Sequence, residues 1–352
     1  MTKLVQLRWI ATLVTALIVV SGCPDMLLAQ HRPNGTIAYN RFDPETGRGQ
    51  LWLLNASSGE DQPVALHLVT GLVALPVWSR DGKVVAITGA LPEDADQAAS
   101  EIFIFDPAGF TLQQVTHLND SGGSLIPLFK AFSPDRKRLA FVAFNQSSGR
   151  AIIGVDRLDR TEEETIIADT VTTSEGFPLF GLDWYPRGNL LVTPGTVDLK
   201  SGKTEAMTAL FMVRPAGDAV QHGFYWQLTF PDAEPACNCS LHDVLPVFSP
   251  TGSQIAFVRW TIQSDGKRSK SSVRILDLFL RQEHEVVAFS QETVASLSWS
   301  PDGMKLLFDR GRDIDGIANP GSLGLWTVNI DGTALRYINR PTALSASWNW
   351  AR

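Results

Sequence analysis

Leu297–Asp309 reads LSWSPDGMKLLFD. An apolar run ends on Trp299, Ser300-Pro301-Asp302-Gly303 turns the chain, and a second apolar run follows. Proline at the first central position of a turn has its φ already set, and glycine at the end tolerates positive φ. The flanking residues are β-formers in short runs, so the stretch predicts two antiparallel strands joined by a tight hairpin.

The stretch recurs. Its aromatic appears as Trp78, Phe132, Trp184, Phe248 and Trp299, at spacings of 54, 52, 64 and 51 residues. The turns read Ser79-Arg80-Asp81-Gly82, Ser133-Pro134-Asp135-Arg136, Tyr185-Pro186-Arg187-Gly188, Ser249-Pro250-Thr251-Gly252 and Ser300-Pro301-Asp302-Gly303. Seven residues after each aromatic stands an apolar residue: Val85, Leu139, Leu191, Ile255 and Leu306. A sixth aromatic in the same phase, Trp348, lies 49 residues past Trp299. A fixed period near fifty with several strands per repeat is the signature of a β-propeller.

These motifs resemble the WD-like repeat of TolB-type β-propellers, over roughly residues 33–352. The Leu-Thr or Val-Thr pair that often closes such blades occurs at Val69-Thr70, Val115-Thr116 and Leu228-Thr229. The resemblance implies an all-β fold, a six-bladed β-propeller of four-stranded antiparallel blades, with seven blades as the alternative. The additional N-terminal α/β domain of TolB is not expected, because blade 1 begins soon after the leader.

Blade 1 is expected to use Thr36–Arg41, Gln50–Asn55 and Val64–Thr70, and its innermost strand is missing at the expected place. Ser345–Trp350 fits that gap, so pairing of N- and C-terminal strands would close the ring; Met26–His31 is the rival. The remaining blades fall at Val77–His117, Phe129–Asp169, Gly181–Phe230, Val244–Phe289 and Ala295–Asn339.

Composition agrees with a globular, turn-rich chain: 44% hydrophobic and 19% charged residues, with 20 prolines and 28 glycines. The N-terminus looks like a targeting segment. Lys3 and Arg8 flank the twelve-residue apolar run Trp9–Val20, long enough for a signal-peptide core and too short to span a bilayer. Val20-Ser21-Gly22-Cys23 resembles a bacterial lipoprotein processing box, which implies cleavage before Cys23 and acylation of that residue. The expected organisation is a signal peptide at 1–22, a lipidated leash at 23–32 and a propeller at 33–352. Pro24–Arg32 reaches about 30 Å when extended. Losing the leader takes the net charge from −7 to −9, which argues against nonspecific nucleic-acid binding.

The chain has no Gly-x-Ser-x-Gly elbow, no phosphate-binding glycine loop and no His-Glu-x-x-His. Cys237-Asn238-Cys239 with His242 is a metal-like cluster, but outside the cytoplasm a disulfide is the simpler fate of Cys237 and Cys239. No metal or cofactor is expected. Asp309, Asp313 and Asp315 lack the closing glutamate of a calcium loop and read as a solvated loop. Trp78, Trp184, Trp299 and Trp348 share the repeat phase and read as packing between blades rather than as a carbohydrate platform.

Connections away from the tight turns are long and polar: Ala90–Ser100, Pro194–Met207, Thr261–Ser272 and Arg310–Ser322. Binding residues are therefore sought there: Glu93, Asp94 and Asp96, then Lys267, Arg268 and Lys270, then Arg312 and Asp313. The expected function is a membrane-anchored monomer, held by lipid on Cys23, that binds a protein or peptide without catalysis. The alternative is a propeller enzyme, a lyase or glycosidase, acting on a polysaccharide. Asp183 and Asn349 are read as the polar exceptions on otherwise apolar inner strands.

Overall fold

The computed structural model describes residues 35–349 except 44, 46–47, 67, 69–74, 92–99, 120–124, 146, 149, 160–165, 169–179, 198–206, 215–224, 232–238, 315–316, 320–321 and 339–341. The described residues are all-β, without helices. β1 (Thr36–Asp43), β2 (Arg48–Asn55) and β3 (Asp61–Pro63) come first. β4 (Val77–Trp78), β5 (Val85–Gly89), β6 (Glu101–Asp106) and β7 (Thr111–Gln114) follow. Then come β8 (Leu125–Phe132), β9 (Arg138–Asn145), β10 (Arg150–Arg157) and β11 (Ile166–Ala168). β12 (Asp183–Trp184), β13 (Leu191–Val197), β14 (Met207–Val213) and β15 (Tyr225–Gln227) are next. β16 (Cys239–Phe248), β17 (Gln254–Gln263), β18 (Arg268–Asp277) and β19 (Gln282–Ser290) are the longest set. The last are β20 (Glu292–Thr293), β21 (Leu297–Trp299), β22 (Lys305–Asp309), β23 (Gly311–Ile314), β24 (Ile317–Asn319), β25 (Leu325–Asn329), β26 (Arg336–Tyr337) and β27 (Ala343–Trp348).

The strands form a propeller-like arrangement. The sheets β27-β1-β2-β3, β4-β5-β6-β7, β8-β9-β10-β11 and β21-β22-β25-β26 are separate and four-stranded. This differs from the expected six separate blades. The strands anticipated for blades 4 and 5 form one eight-stranded sheet, because β14 and β16 pair in parallel at Thr208 and His242. The innermost strands β27, β4, β8, β12, β16 and β21 touch in that cyclic order, and β21 returns to β27.

The core lies in the seams between neighbouring sheets. One cluster joins Ala38 and Leu51 to Trp78, Val85 and Phe103, and another joins Leu307 and Leu325 to Ile37, Tyr39 and Trp348. The repeated aromatic sits in such a seam each time, also as Phe132, Trp184, Phe248 and Trp299. Trp184 and Trp299 are fully buried and Trp348 is 1% exposed, so these rings are core and not a binding platform.

The tight turns explain their own sequence. In Ser300–Gly303 the Gly303 N–H donates to the Ser300 carbonyl, the Ser300 hydroxyl donates to Asp302, and Met304 N–H donates back to Asp302. Gly252 and Gly303 both adopt φ of 72°, and a Cβ on Gly252 would meet the Tyr185 ring at 3.0 Å. Adjacent turns thus pack closely on one face. The hairpins joining third and fourth strands lie on the same face: Ala56 N–H donates to Gly35, Leu158 to Lys137, Leu278 to Ser253 and Ile330 to Met304.

Three elements differ from expectation. The outer strand of the first sheet is Asp61–Pro63, ahead of the expected Val64–Thr70, because the turn at Ser57–Gly59 brings the chain back early; Val64 is buried and still donates to Leu51, and residues 67 and 69–70 lie outside the described residues. Thr261–Ser272 is largely ordered strand: β17 and β18 extend to a tight turn at which Gly266 has φ 80°. Arg310–Ser322 likewise contains the hairpin β23–β24.

β27 pairs antiparallel with β1, from Ile37 against Trp348 to Arg41 against Ala343. Residues 26–31 lie outside the described residues. Deleting Ala343–Arg352 is expected to destabilise the whole domain. Truncating one buried aromatic costs about 3–5 kcal/mol, against a total of about 5–15 kcal/mol for a domain. Thermal melting of the truncated chain checks this; an unchanged Tm contradicts it.

Candidate functional site

The inner strands surround a central cavity of about 120 Å³. Its walls include Trp78, Phe129, Lys130, Leu182, Asp183, Leu245, Ser296, Ser298 and Ser347. Five of the six inner strands are sheet edges, and β16 meets β14 only at Thr208 and His242, so most of their backbone N–H groups face the ring without a strand partner. Kinks three residues before the aromatic, at Gly181 (φ 100°), Leu245 (φ 53°) and Ser345 (φ 56°), turn some of these groups sideways. Leu245 N–H then donates to the Phe180 carbonyl, just before β12, at 2.7 Å, and Ser345 N–H to Asp309 at 2.9 Å.

Side chains satisfy further edges. Ser347 accepts from Trp78 N–H, Ser298 from Trp348 N–H, and Asp183 from Phe248 N–H at 2.7 Å. Asp309 accepts from three backbone N–H groups, those of Ala295, Ser296 and Ser345. It is fully buried and not in a solvated loop, a correction to the sequence reading; burial raises its pKa, opposed by those N–H donors. The side chain of Asp313 and all of Asp315 lie outside the described residues.

At the tight-turn end, Arg80 reaches from its turn across the ring. Its guanidinium bonds Asp183 at 3.3 Å and also the Trp184 carbonyl. Burial pushes the Asp183 carboxyl up, and Arg80 opposes that shift. Asp183 is deep, yet its side chain is 17% exposed because it borders the cavity. Asn349, the other polar residue read on an inner strand, donates to the Gly82 carbonyl and ties the last strand to the next turn.

Lys130 was missed by the sequence reading. It is 3% exposed and donates to the Thr88 hydroxyl at 2.8 Å and the Leu128 carbonyl at 3.2 Å. Burial lowers its pKa from 10.5 to about 7. The sequence signal was a lone lysine in the apolar run Phe129-Lys130-Ala131-Phe132.

The remaining candidates are dispersed. Glu93, Asp94, Asp96, Cys23 and Cys237 lie outside the described residues. Cys239 is disulfide-bonded. His242 is buried, its Nε2 lies 2.8 Å from the Ser240 hydroxyl, and burial together with Arg268 lowers its pKa to about 4. The basic run is not uniformly exposed. Lys267 is exposed at the hairpin tip, but Arg268 stacks on Trp260 at 4.2 Å and Lys270 pairs with Glu285 at 2.9 Å. Arg312 is exposed on β23. The β17–β18 hairpin and the β20–β23–β24 sheet are joined by a bond from the Ser271 hydroxyl to Glu292, and Glu292 in turn pairs with Arg310 at 2.6 Å. They make an ordered wall where loops were expected.

Fold and repeat together define a WD-like β-propeller. No protein-family model matches the sequence, and no curated protein matches it. Among solved structures, TolB from Acinetobacter baumannii is similar with a TM-score of 0.62 at 18% identity, over 90% of this chain and 67% of that one. Hydrazine synthase from Kuenenia stuttgartiensis is similar with a TM-score of 0.60 at 11% identity, over 91% of this chain and 47% of that one. The periplasmic gluconolactonase of Pseudomonas aeruginosa reaches 0.52 at 11% identity, over 90% of this chain and 99% of that one. The fold is that of the TolB-type propeller, and at these identities the likeness concerns fold alone.

Lys130 gives a pH-dependent stability. Between about 7 and 10.5 the unfolded lysine holds a proton that the folded one has released, so stability rises with pH across that window. Lys130→Met is expected to flatten this rise and to raise Tm below pH 7. Melting curves of both proteins from pH 6 to 10 check it; parallel profiles contradict it.

Proposed function

We propose that the chain is an extracytoplasmic, lipid-anchored propeller of six blades that binds a protein or peptide without catalysis, on the face carrying the raised hairpins. One observation carries this reading: the acids at and near the cavity are committed to the scaffold, and Lys130 on its wall donates to the Thr88 hydroxyl and the Leu128 carbonyl. Asp183, the one acid lining the cavity among the described residues, holds Arg80 and two backbone N–H groups. Asp243 is gripped by Arg259 at 2.6 Å, and Asp309 by backbone. A polysaccharide lyase or glycosidase needs acids or bases free to reach substrate.

The count of six treats the eight-stranded sheet as two blades. It is supported by the single parallel contact between its halves and by the ring of six inner strands. The address is supported by Lys3, Arg8, the apolar run and Cys23, and by a disulfide at Cys239, whose proposed partner is Cys237. The recognition surface we assign includes Lys267, Arg312 and the acids Glu93, Asp94 and Asp96, a mixture suited to selecting one charge pattern. Arg268 and Lys270 support the wall beneath it.

Cys23→Ser is expected to leave the protein unprocessed or released from membranes on detergent-free fractionation; normal processing with an unchanged membrane fraction contradicts the anchor. Reversal of Lys267 and Arg312 to glutamate is expected to abolish partner recovery from the native membrane by pulldown. Reversal of Arg136 and Lys137 on the tight-turn face should leave recovery intact, since the Arg136–Asp81 pair is exposed and contributes little. Loss in the second pair alone overturns the assignment.

A further inference from the structure

The tight-turn face carries apolar side chains that the fold leaves uncovered. Phe279 is 90% exposed and Leu280 60%, both in the turn between β18 and β19. Phe110, in the turn between β6 and β7, is 63% exposed, and Met304, just past Gly303, is 49% exposed. These are ordered positions. Asp277 accepts from the N–H groups of both Phe279 and Leu280, and Asp106 fixes the other turn by accepting from Ala108 and Gly109. Leu278 N–H is tied to Ser253, and Ile330 N–H to Met304, so both sets of turns share one face.

The chain also arrives on this face. Gly35 accepts from Ala56 N–H, and a Cβ built on it would lie 3.5 Å from Pro301 in the Ser300–Gly303 turn. The segment before it holds Cys23 and a leash of about 30 Å. From Cys23 to Gly35 are twelve residue steps, about 40 Å fully extended, whereas a path to the opposite face crosses a four-stranded sheet, roughly 14 Å, and then the roughly 33 Å of a strand such as β17, so the anchor lies nearer this face.

We propose that the tight-turn face rests on the phospholipid surface, with Phe110, Phe279, Leu280 and Met304 entering its interfacial layer. The inference rests on the anchoring in the proposed function. A lipid surface is the occupant because the apolar tips are separated: the β6–β7 and β18–β19 turns stand on opposite sides of the ring of inner strands, and a plane meets both at once. Lys83, Lys137, Arg187 and Arg281 are exposed on the same face at the level of phospholipid headgroups. Asp81, Asp135 and Asp302 are there too, each accepting a turn serine hydroxyl and a backbone N–H, so net charge does not draw this face down. The apolar tips do, as in interfacial proteins whose binding follows buried apolar area.

The test uses the acylated full-length protein in phosphatidylethanolamine–phosphatidylglycerol vesicles carrying a nitroxide lipid. A fluorophore is placed at Phe279→Cys or, on the opposite face, at Lys267→Cys. Several-fold stronger quenching at 279 than at 267 is expected, and a Phe110→Ser, Leu280→Ser background should weaken it. Equal or absent quenching at both sites, in protein that floats with the vesicles, overturns the docked face and leaves the anchor standing. Protein that fails to float overturns the anchor and this inference with it. All substituted positions are exposed, and an unchanged melting temperature verifies the fold in each variant.

Discussion

Five of the six inner strands are sheet edges and the sixth, β16, meets β14 at one residue pair, so their backbone donors face a ring that offers almost no further strand. A buried N–H left without an acceptor costs about 1–3 kcal/mol, so the ring holds together only if neighbouring segments supply acceptors. They do so in three ways. Backbone kinks redirect an N–H onto a neighbouring segment's carbonyl, as Leu245 does to Phe180. Serines one residue before the aromatic accept from the next seam, as Ser347 does from Trp78 and Ser298 from Trp348. Carboxylates take several donors at once, as Asp183 and Asp309 do. Packing follows from the same arrangement, since each such bond sets an aromatic ring into the seam beside it.

That requirement changes what a polar residue in the cavity wall means. A buried carboxylate near a central cavity invites a catalytic reading, but Asp309 has one oxygen on two N–H groups and the other on a third. Asp183 is divided between Arg80 and backbone in the same way. Lys130 differs, because its hydrogen bonds go to two neutral acceptors, the Thr88 hydroxyl and the Leu128 carbonyl. Its folded form is therefore favoured by losing the proton, and the sheets on either side are joined through Thr88 whatever its charge, since that hydroxyl itself donates to Pro127.

Much of this fold was legible in the sequence because it depends on local chemistry. Ser-Pro-Asp-Gly specifies its own turn through hydroxyl, carboxylate and φ, and the aromatic directly before it has one seam to fill. Two of the three Val-Thr and Leu-Thr pairs act within their own sheets: Thr116 and Thr229 hydroxyls accept from Ile102 and Leu210 at the third strands, while Val69-Thr70 lies outside the described residues. What was not legible depends on distant partners. Thr261–Ser272 is polar and reads as loop, yet it is strand because β17 and β18 lengthen each other and Arg268 covers Trp260. The merging of two sheets hangs on one contact between Thr208 and His242, which no periodicity encodes. Asp309 reads as the first of three loop acids, and the chain before β21 together with the arriving β27 makes it a buried acceptor.

The two faces of the ring answer to different constraints. On the tight-turn face the hairpins pack on one another, Pro186 against Gly252 and Pro250 near Gly303, so their sequence is held by geometry and side-chain variety is confined to positions that point outward. On the other face the connections vary in length, and two of them have grown into paired hairpins braced by Arg310, Glu292 and Ser271. A braced hairpin loses less conformational freedom on binding than a loose loop, which favours recognition there. The repeated face, fixed in shape and tipped with Phe110 and Phe279, suits a partner that has no shape of its own to read. A bilayer is such a partner, and the chain enters the ring from that side.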